Sequence, residues 1–152
     1  MAATRTARVT WKGDLIKGGG TVSGGSSDHL RDAPISWAAR TESANGKTSP
    51  EELLAAAHAS CYAMALSAGL AKNGTPPARL DVTATVRFDK VVDSWAVTSS
   101  ELDLRASVPS IDEETFARIA EDAKDGCPIS KALKGNVAMS VTAKLEPAES
   151  RV

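Results

Sequence analysis

The sequence predicts an α+β protein in which antiparallel sheets wrap around a long central helix. Two observations carry this prediction: an uncharged, helix-forming run over residues 53–71, and segments near 80–88, 101–108 and 137–145 in which apolar and polar residues alternate. Alternation with a period of two indicates strands with one buried face, which is typical of antiparallel pairing. The 152 residues, of which 42% are hydrophobic, suit one domain, and we expect a single domain over 1–152.

The first part of the chain is predicted to form short strands. Residues Ala7 to Leu15 and Thr21 to Ser23 have the composition of two hairpin arms, and the glycine-rich segment between them supplies the turn. A further short strand is expected from Pro34 to Arg40. Arg40 is therefore expected in a strand just before the central helix.

The central helix has clear start and stop signals. Ser49 can cap its N-terminus, Pro50 suits the first helical position, and an acidic pair follows at the positive end of the helix dipole. Asn73 and Gly74, with two prolines beyond them, end the helix. These bounds give about 22 residues, a length on the order of 33 Å.

The lack of formal charge over residues 53–71 raises the alternative of a membrane span. The run is mostly alanine, which gains little on leaving water, and no basic flank would orient an insertion. The chain as a whole is 24% charged. A helix that is apolar on nearly every side is therefore interpreted as the buried centre of a soluble protein.

Charge and the N-terminal sequence restrict the partners and the compartment. A net charge of −1 and a pI near 6.1 leave no basic footprint for nucleic acid or anionic lipid. The first eight residues lack the apolar region of a signal peptide, and only two cysteines are present. We expect a cytoplasmic protein without nucleic-acid or membrane partners, where a cysteine pair is more often catalytic or metal-binding than structural.

Two shorter helices are predicted before the last strand. Ser110 opens a capping-box match that begins a helix to about Lys124, with apolar residues at helical spacing. Asp125-Gly126 breaks this helix. Cys127-Pro128 then starts a second helix, which stops at Gly135.

The two cysteines lie in different electrostatic environments. Cys127 falls at or beside a helix N-cap, where free N–H groups and the dipole stabilise a thiolate. Cys61 lies in the middle of the central helix, so a cation from elsewhere is needed to lower its pKa. Arg40 is the candidate cation, and the alternative is an ordinary arginine that is solvated or paired with Glu42.

Glu51 raises a geometric question if it belongs to the same site as Cys61. Ten residues along a helix amount to roughly 15 Å, a gap that no side chain closes within one straight helix. Two copies of the helix packed antiparallel would place Glu51 of one chain near Cys61 of the other. This predicts a site assembled across a homodimer.

Several segments of the chain resemble the osmotically inducible protein C (OsmC) family. The resemblance is carried by Pro34–Glu42, Thr48–Leu53, Ala56–Cys61 and Cys127–Leu133, and Trp11–Leu15 and Gly18–Gly20 also fit. It thus covers nearly the whole chain. Ser49 stands where the family more commonly has asparagine, a minor departure because both residues can cap a helix.

The resemblance implies a fold, an assembly and a reaction. The expected fold is OsmC-like, with sheets around paired central helices in an intertwined homodimer whose sites are shared between subunits. The expected activity is that of a cysteine-based peroxidase that reduces organic hydroperoxides, and hydrogen peroxide more weakly, in oxidative or osmotic stress defence. By motif, Cys61 is the peroxidatic and Cys127 the resolving cysteine, while Glu51 orients Arg40 beside the thiolate. No cofactor or metal is bound, and an external dithiol of the lipoyl or dihydrolipoamide type, or a lipoylated protein, acts as reductant.

Other interpretations of the cysteines remain open from the residues alone. A non-enzymatic thiol sensor or ligand-binding protein on the same fold would react once and not cycle. Zinc is disfavoured because no Cys-x-x-Cys or His-x-x-x-His spacing is present. Two buried, inert cysteines are disfavoured by the Gly-Cys-Pro helix start. His58, three residues before Cys61, is interpreted as a packed helix histidine rather than a general base.

Overall fold

The computed structural model describes residues 1–147 and confirms the α+β class. Two three-stranded sheets and four helices are present in this part of the chain. The residues form two compact units, one over Met1–Leu53 and one from Leu54 onward.

The first unit contains a three-stranded antiparallel sheet in the order β1-β2-β3. Its strands are β1 (Ala7–Lys12), β2 (Gly19–Gly24) and β3 (Ala33–Ile35). The predicted hairpin is confirmed, but its first arm ends at Lys12 rather than Leu15. The chain turns there because Gly13 adopts a φ of 92° and the Lys17 N–H donates to Asp14 Oδ1 at 2.7 Å.

The strand predicted to extend to Arg40 is wrong in its second half. Ser36 caps a short helix, α1 (Trp37–Thr41), and its hydroxyl accepts a hydrogen bond from the Ala39 N–H at 3.1 Å. A serine that satisfies a free N–H group favours a helix start, and here this local bond ends the extended segment. Arg40 therefore lies in the last turn of α1.

The central helix, α2 (Pro50–Lys72), is confirmed with bounds close to those predicted. Ser49 caps it by accepting a hydrogen bond from the Glu52 N–H at 3.1 Å, and Gly74 turns the chain away with a φ of 81°. By length and composition alone, α2 could cross a membrane, a test that the core helix of a soluble protein also passes.

In the single chain, α2 is buried along one stripe rather than on every side. The stripe in the second unit consists of His58, Tyr62, Leu66 and Leu70, each essentially inaccessible. Positions four residues apart on another face are exposed, and Met64 there is 69% exposed. The expectation of a helix buried all round is wrong for one chain, because the packed core covers a single face of α2.

The second unit contains a sheet in the order β4-β5-β6. Its strands are β4 (Arg79–Val91), β5 (Ser94–Ser107) and β6 (Ala138–Leu145). The strands β4 and β5 form the antiparallel hairpin that alternation predicts, although both extend further toward the tip than the pattern indicated. β5 and β6 are parallel, so antiparallel pairing throughout is wrong. Parallel neighbours need a long crossover, and the two helices between these strands supply it.

That crossover consists of α3 (Glu113–Gly126) and α4 (Pro128–Leu133). The cap of α3 is Asp112 rather than Ser110, because the Asp112 carboxylate accepts a hydrogen bond from the Thr115 N–H at 2.8 Å. Ser110 instead turns the chain with a φ of 64°. α3 also continues through Gly126, which was expected to break it.

The core of the second unit lies between β5, α3 and the buried stripe of α2. Its buried members are Tyr62, Leu66, Leu70, Leu102, Leu104, Ala106, Val108, Phe116, Ile119, Ala120, Ala123 and Cys127. The Tyr62 hydroxyl donates to the Ala120 carbonyl at 2.9 Å, which satisfies its one polar atom. This packing holds α2 against the junction of α3 and α4, where Cys127 lies.

Candidate active site

Cys61 and Cys127 meet in the second unit. Their Sγ atoms are 2.9 Å apart, and both are free thiols. Cys127 is fully buried, whereas Cys61 is partly accessible. Of the two thiols, Cys61 is therefore the one that solvent can reach in the single chain.

Cys127 occupies the junction between two helices. It ends α3, where its N–H donates to the Ala123 carbonyl at 2.9 Å, and it begins α4, with Pro128 at the first helical position. Proline suits this position because its missing N–H would have no partner there. The thiol is thus fixed at the N-terminus of α4, as the Gly-Cys-Pro motif predicts.

The two thiols differ in acidity. Burial raises the pKa of Cys61, its hydrogen bond with Cys127 raises it further, and the Ile129 N–H lowers it only in part. Burial also raises the pKa of Cys127, but the hydrogen bond with Cys61 and the polar groups of Ser130 and Ile129 bring this pKa below its ordinary value. The hydrogen bond with Cys61 and the polar groups at the start of α4 therefore favour a thiolate at Cys127. The raised pKa of Cys61 favours its neutral thiol in the single chain.

Arg40 and Glu51 form a paired site in the first unit. Arg40 Nε donates to both carboxylate oxygens of Glu51, at 3.0 and 3.1 Å, and Arg40 Nη2 donates to Oε1 at 2.8 Å. The Glu51 side chain is only 10% exposed, and the Trp37 ring lies 5.9 Å from Arg40 Cζ. A forked arrangement of this kind fixes the guanidinium plane as well as its charge. Arg40 is thus held in one orientation by Glu51.

The four residues predicted for the site are therefore found as two pairs, one in each unit. Their catalytic roles stay predictions. Within residues 1–147, no group of three or more His, Cys, Asp or Glu side chains is arranged to hold a metal ion.

His58 makes contacts that the sequence did not predict. Its Nδ1 lies 2.6 Å from Ser100 Oγ and its Nε2 lies 2.8 Å from Ser130 Oγ. All three residues are buried, and burial lowers the pKa of His58. The histidine is packed, as interpreted, but it also joins β5 to α4. Its partners are 42 and 72 positions away, and no sequence signal distinguishes these serines from others.

Comparison with known proteins identifies relatives of the chain. Residues 43–142 match the family described as OsmC-like protein. The chain is 40% identical to the peroxiredoxin OsmC of Escherichia coli (strain K12) over 144 residues, which cover 95% of this chain and 99% of that protein. It is 35% identical to the organic hydroperoxide resistance protein-like 1 of Staphylococcus epidermidis over 106 residues, or 68% of this chain and 75% of that one.

A solved structure shows the same fold. The organic hydroperoxide resistance protein OhrB of Bacillus subtilis superimposes with a TM-score of 0.67 at 25% identity. The match covers 91% of this chain and 98% of that chain. This chain and OhrB therefore share a fold.

Proposed function

Because the chain belongs to the OsmC-like protein family and is a hydroperoxide-reducing peroxidase, we propose that Cys61 and Cys127 carry the reaction as a peroxidatic and resolving pair. The observation that carries the proposal is the 2.9 Å contact between their sulfur atoms. In this proposal, the accessible Cys61 reacts with substrate, and the buried Cys127 is close enough to attack the oxidised Cys61 sulfur. The proposed substrates are organic hydroperoxides, with hydrogen peroxide a weaker one, in oxidative or osmotic stress defence.

In the first step, the Cys61 thiolate attacks the terminal oxygen of ROOH. The O–O bond breaks, the leaving alkoxide takes a proton and departs as the alcohol ROH, and Cys61 is left as a sulfenic acid. In the second step, the Cys127 thiolate attacks the sulfenic sulfur. The S–S bond forms, the S–O bond breaks, and the leaving hydroxide is protonated to water. An external dithiol then returns both cysteines to thiols by two exchanges.

The proposed cation for Cys61 is Arg40 of a second copy of the chain. Burial raises the pKa of Cys61, and a nearby positive charge would lower it. Glu51 already fixes the orientation of Arg40. Because Glu51 and Cys61 are ten positions apart on α2, about 15 Å along a straight helix, an antiparallel second copy suits the arrangement. The exposed face of α2 around Met64 is available for such packing.

The remaining expectations follow from this chemistry. The cycle needs no bound cofactor or metal, but it needs a dithiol that can reach the Cys61–Cys127 disulfide. We propose a lipoyl-type reductant, either free dihydrolipoamide or a lipoylated protein. A reducing cytoplasm is the proposed location, since it would hold both cysteines as thiols between turnovers.

Turnover of hydroperoxide by three proteins tests the proposal. Wild type, Cys61→Ser and Cys127→Ser are each mixed with cumene or tert-butyl hydroperoxide and with dihydrolipoamide, and hydrogen peroxide serves as comparison. We expect multiple turnovers by wild type, none by Cys61→Ser and impaired turnover by Cys127→Ser. A wild type that reacts once and stops would favour a thiol sensor, and a Cys61→Ser variant that keeps its rate would remove Cys61 from the reaction.

A further inference from the structure

A buried series of hydrogen bonds lies beside the two cysteines. Ser100, His58 and Ser130 are joined at 2.6 and 2.8 Å, and each is at most 1% exposed. His58 precedes Cys61 by one helical turn on α2, and Ser130 follows Cys127 by one turn on α4. The His58–Ser130 contact therefore joins α2 to α4 one helical turn away from the point where the two cysteines meet.

Ser130, the last member of this series, lies three positions after Cys127, in the first turn of α4. The hydroxyl and the backbone N–H of Ser130 both act to lower the pKa of Cys127. Other titratable groups act in the same region: Cys61 and Tyr62 on α2, and Glu121 on α3, which acts on Tyr62. Burial raises the pKa of Tyr62, so this phenol stays neutral while Cys127 titrates. Ser130 is thus a neutral donor placed where the sulfur becomes charged.

The donor and acceptor roles in this series depend on which nitrogen of His58 carries the proton. A hydroxyl has one proton to donate and can also accept, whereas neutral imidazole has one donor and one acceptor nitrogen. With the proton on Nε2, His58 donates to Ser130 Oγ, and the Ser130 proton is free to face the Cys127 thiolate. With the proton on Nδ1, Nε2 accepts the Ser130 proton, and Ser130 can only accept from a Cys127 thiol. Ser100 fits both states because it too can donate or accept.

We propose that His58 is a positioning residue for the resolving step, and that its tautomer, acting through the Ser130 hydroxyl, follows and stabilises the ionised state of Cys127. The inference rests on the proposed role of Cys127 as resolving cysteine. The Nε2–H tautomer turns the Ser130 proton toward the thiolate whose electron pair attacks the sulfenic sulfur of Cys61. The thiol proton has gone to solvent before this attack, and the hydroxide that leaves Cys61 takes up a proton as water.

The first test measures the pKa of Cys127 directly. In Cys61→Ser, Cys127 is the one remaining cysteine, and its Cβ chemical shift reports ionisation by ¹³C NMR. Adding Ser130→Ala is expected to raise this pKa by about one pH unit, a roughly tenfold lower thiolate fraction, because a hydrogen bond to the charged form is lost. His58→Leu is expected to raise it similarly. His58→Gln, whose amide can donate to Ser130 in place of Nε2, is expected to keep it near the parent value.

Ser99→Ala is the matched control. Ser99 lies next to Ser100 on β5, and its buried hydroxyl has no hydrogen-bond partner among the described residues. Its removal is expected to leave the Cys127 pKa unchanged. An equal rise of this pKa in Ser99→Ala and Ser130→Ala would overturn the proposal, because the effect would then come from general loosening of the core.

The second test observes the tautomer. In Cys61→Ser, ¹⁵N NMR of His58 is expected to change from the Nδ1–H to the Nε2–H pattern over the pH range in which Cys127 ionises, and Cys61→Ser/Cys127→Ser is expected to show no such change. One tautomer throughout the titration would overturn the proposal. Neither test uses a peroxide, so a failure of the turnover assay and a failure of the tautomer coupling are separate results.

Discussion

Cys61 Sγ and Cys127 Sγ lie 2.9 Å apart although the residues are 66 positions apart in the chain. Cys61 lies on α2 and is partly accessible, whereas Cys127 lies buried at the junction of α3 and α4. Burial raises the pKa of Cys61, while the hydrogen bond with Cys61 and the polar groups at the start of α4 lower the pKa of Cys127. In the single chain, the buried thiol is thus the more acidic of the two, and the proposed peroxidatic role of Cys61 needs a cation from elsewhere.

Removing Cys127 is expected to trap the sulfenic acid on Cys61. In Cys127→Ser, the oxidised sulfur has no thiol within reach, so an adduct with dimedone should accumulate after one equivalent of cumene hydroperoxide. Mass spectrometry of the Cys61 peptide measures it. Wild type should give little adduct because Cys127 condenses first, and comparable adduct in both proteins would show that Cys127 does not resolve.

The peroxidase activity is expected to depend on the geometry of the Arg40–Glu51 pair and not only on the charge of Arg40. Arg40→Lys keeps the charge but cannot reproduce the forked contact with Glu51, so kcat/KM for cumene hydroperoxide should fall by about tenfold or more, the equivalent of one lost charge-assisted bond. Glu51→Gln should lower kcat/KM by a similar factor. Because the two changes break one interaction, the double variant should lose little more than either single variant.

An exposed ion pair supplies the control for that experiment. Arg79 Nε lies 2.9 Å from Asp81 Oδ2, and both side chains are more than half exposed. Such pairs contribute little, so Arg79→Lys should leave kcat/KM unchanged. An equal loss in Arg79→Lys and Arg40→Lys would count against a specific role for Arg40.

His58 is expected to make stability depend on pH. Burial lowers the pKa of His58 below its ordinary 6.5, so between that value and the folded pKa the unfolded chain binds a proton that the folded chain does not. The free energy of unfolding should therefore fall as pH drops below about 6.5, by at most about 1.4 kcal/mol per pH unit. Urea unfolding between about pH 5.5 and 7 measures this slope. His58→Gln should flatten it, and substitution of the exposed His29 should not.

The tip of the β4–β5 hairpin stores strain that one substitution should relieve. Val91 pairs with Ser94 across a two-residue loop, and Val92 at the first loop position has a φ of 55°. A β-branched residue is poorly suited to that region, which glycine adopts freely. Val92→Gly is expected to stabilise the protein by about 1 kcal/mol in urea unfolding. Val91→Gly, within the strand, should destabilise it, and stabilisation by both would argue that strain at Val92 is not the cause.

The sequence predicted the elements that have local signals. Ser49-Pro50 and Gly74 bound α2, Pro128 starts α4, and alternating residues mark β4, β5 and β6. The misplaced elements had competing signals: Ser36 begins a helix inside a segment that looks extended, and Asp112 competes with Ser110 as a cap. The parallel pairing of β6 could not be predicted from alternation, because a one-sided pattern fits either direction.

The candidate site was predictable only where its residues have a local sequence signal. Cys61 and Cys127 were found because reactive thiols are rare and one of them begins a helix, and their pairing followed from the family resemblance. The contacts of His58 were not found, since Ser100 and Ser130 are common residues brought together only by the tertiary fold. Long-range hydrogen bonds between ordinary side chains leave no pattern along the chain.

The covalent state of the protein after one equivalent of organic hydroperoxide, before any reductant is added, decides whether the two cysteines react as proposed. Peptide mapping by mass spectrometry under non-reducing conditions identifies which sulfurs have reacted. We expect a disulfide between Cys61 and Cys127 of the same chain, formed with one equivalent of alcohol released. Alcohol release with both thiols intact, or a disulfide that joins two chains instead, would contradict the proposal.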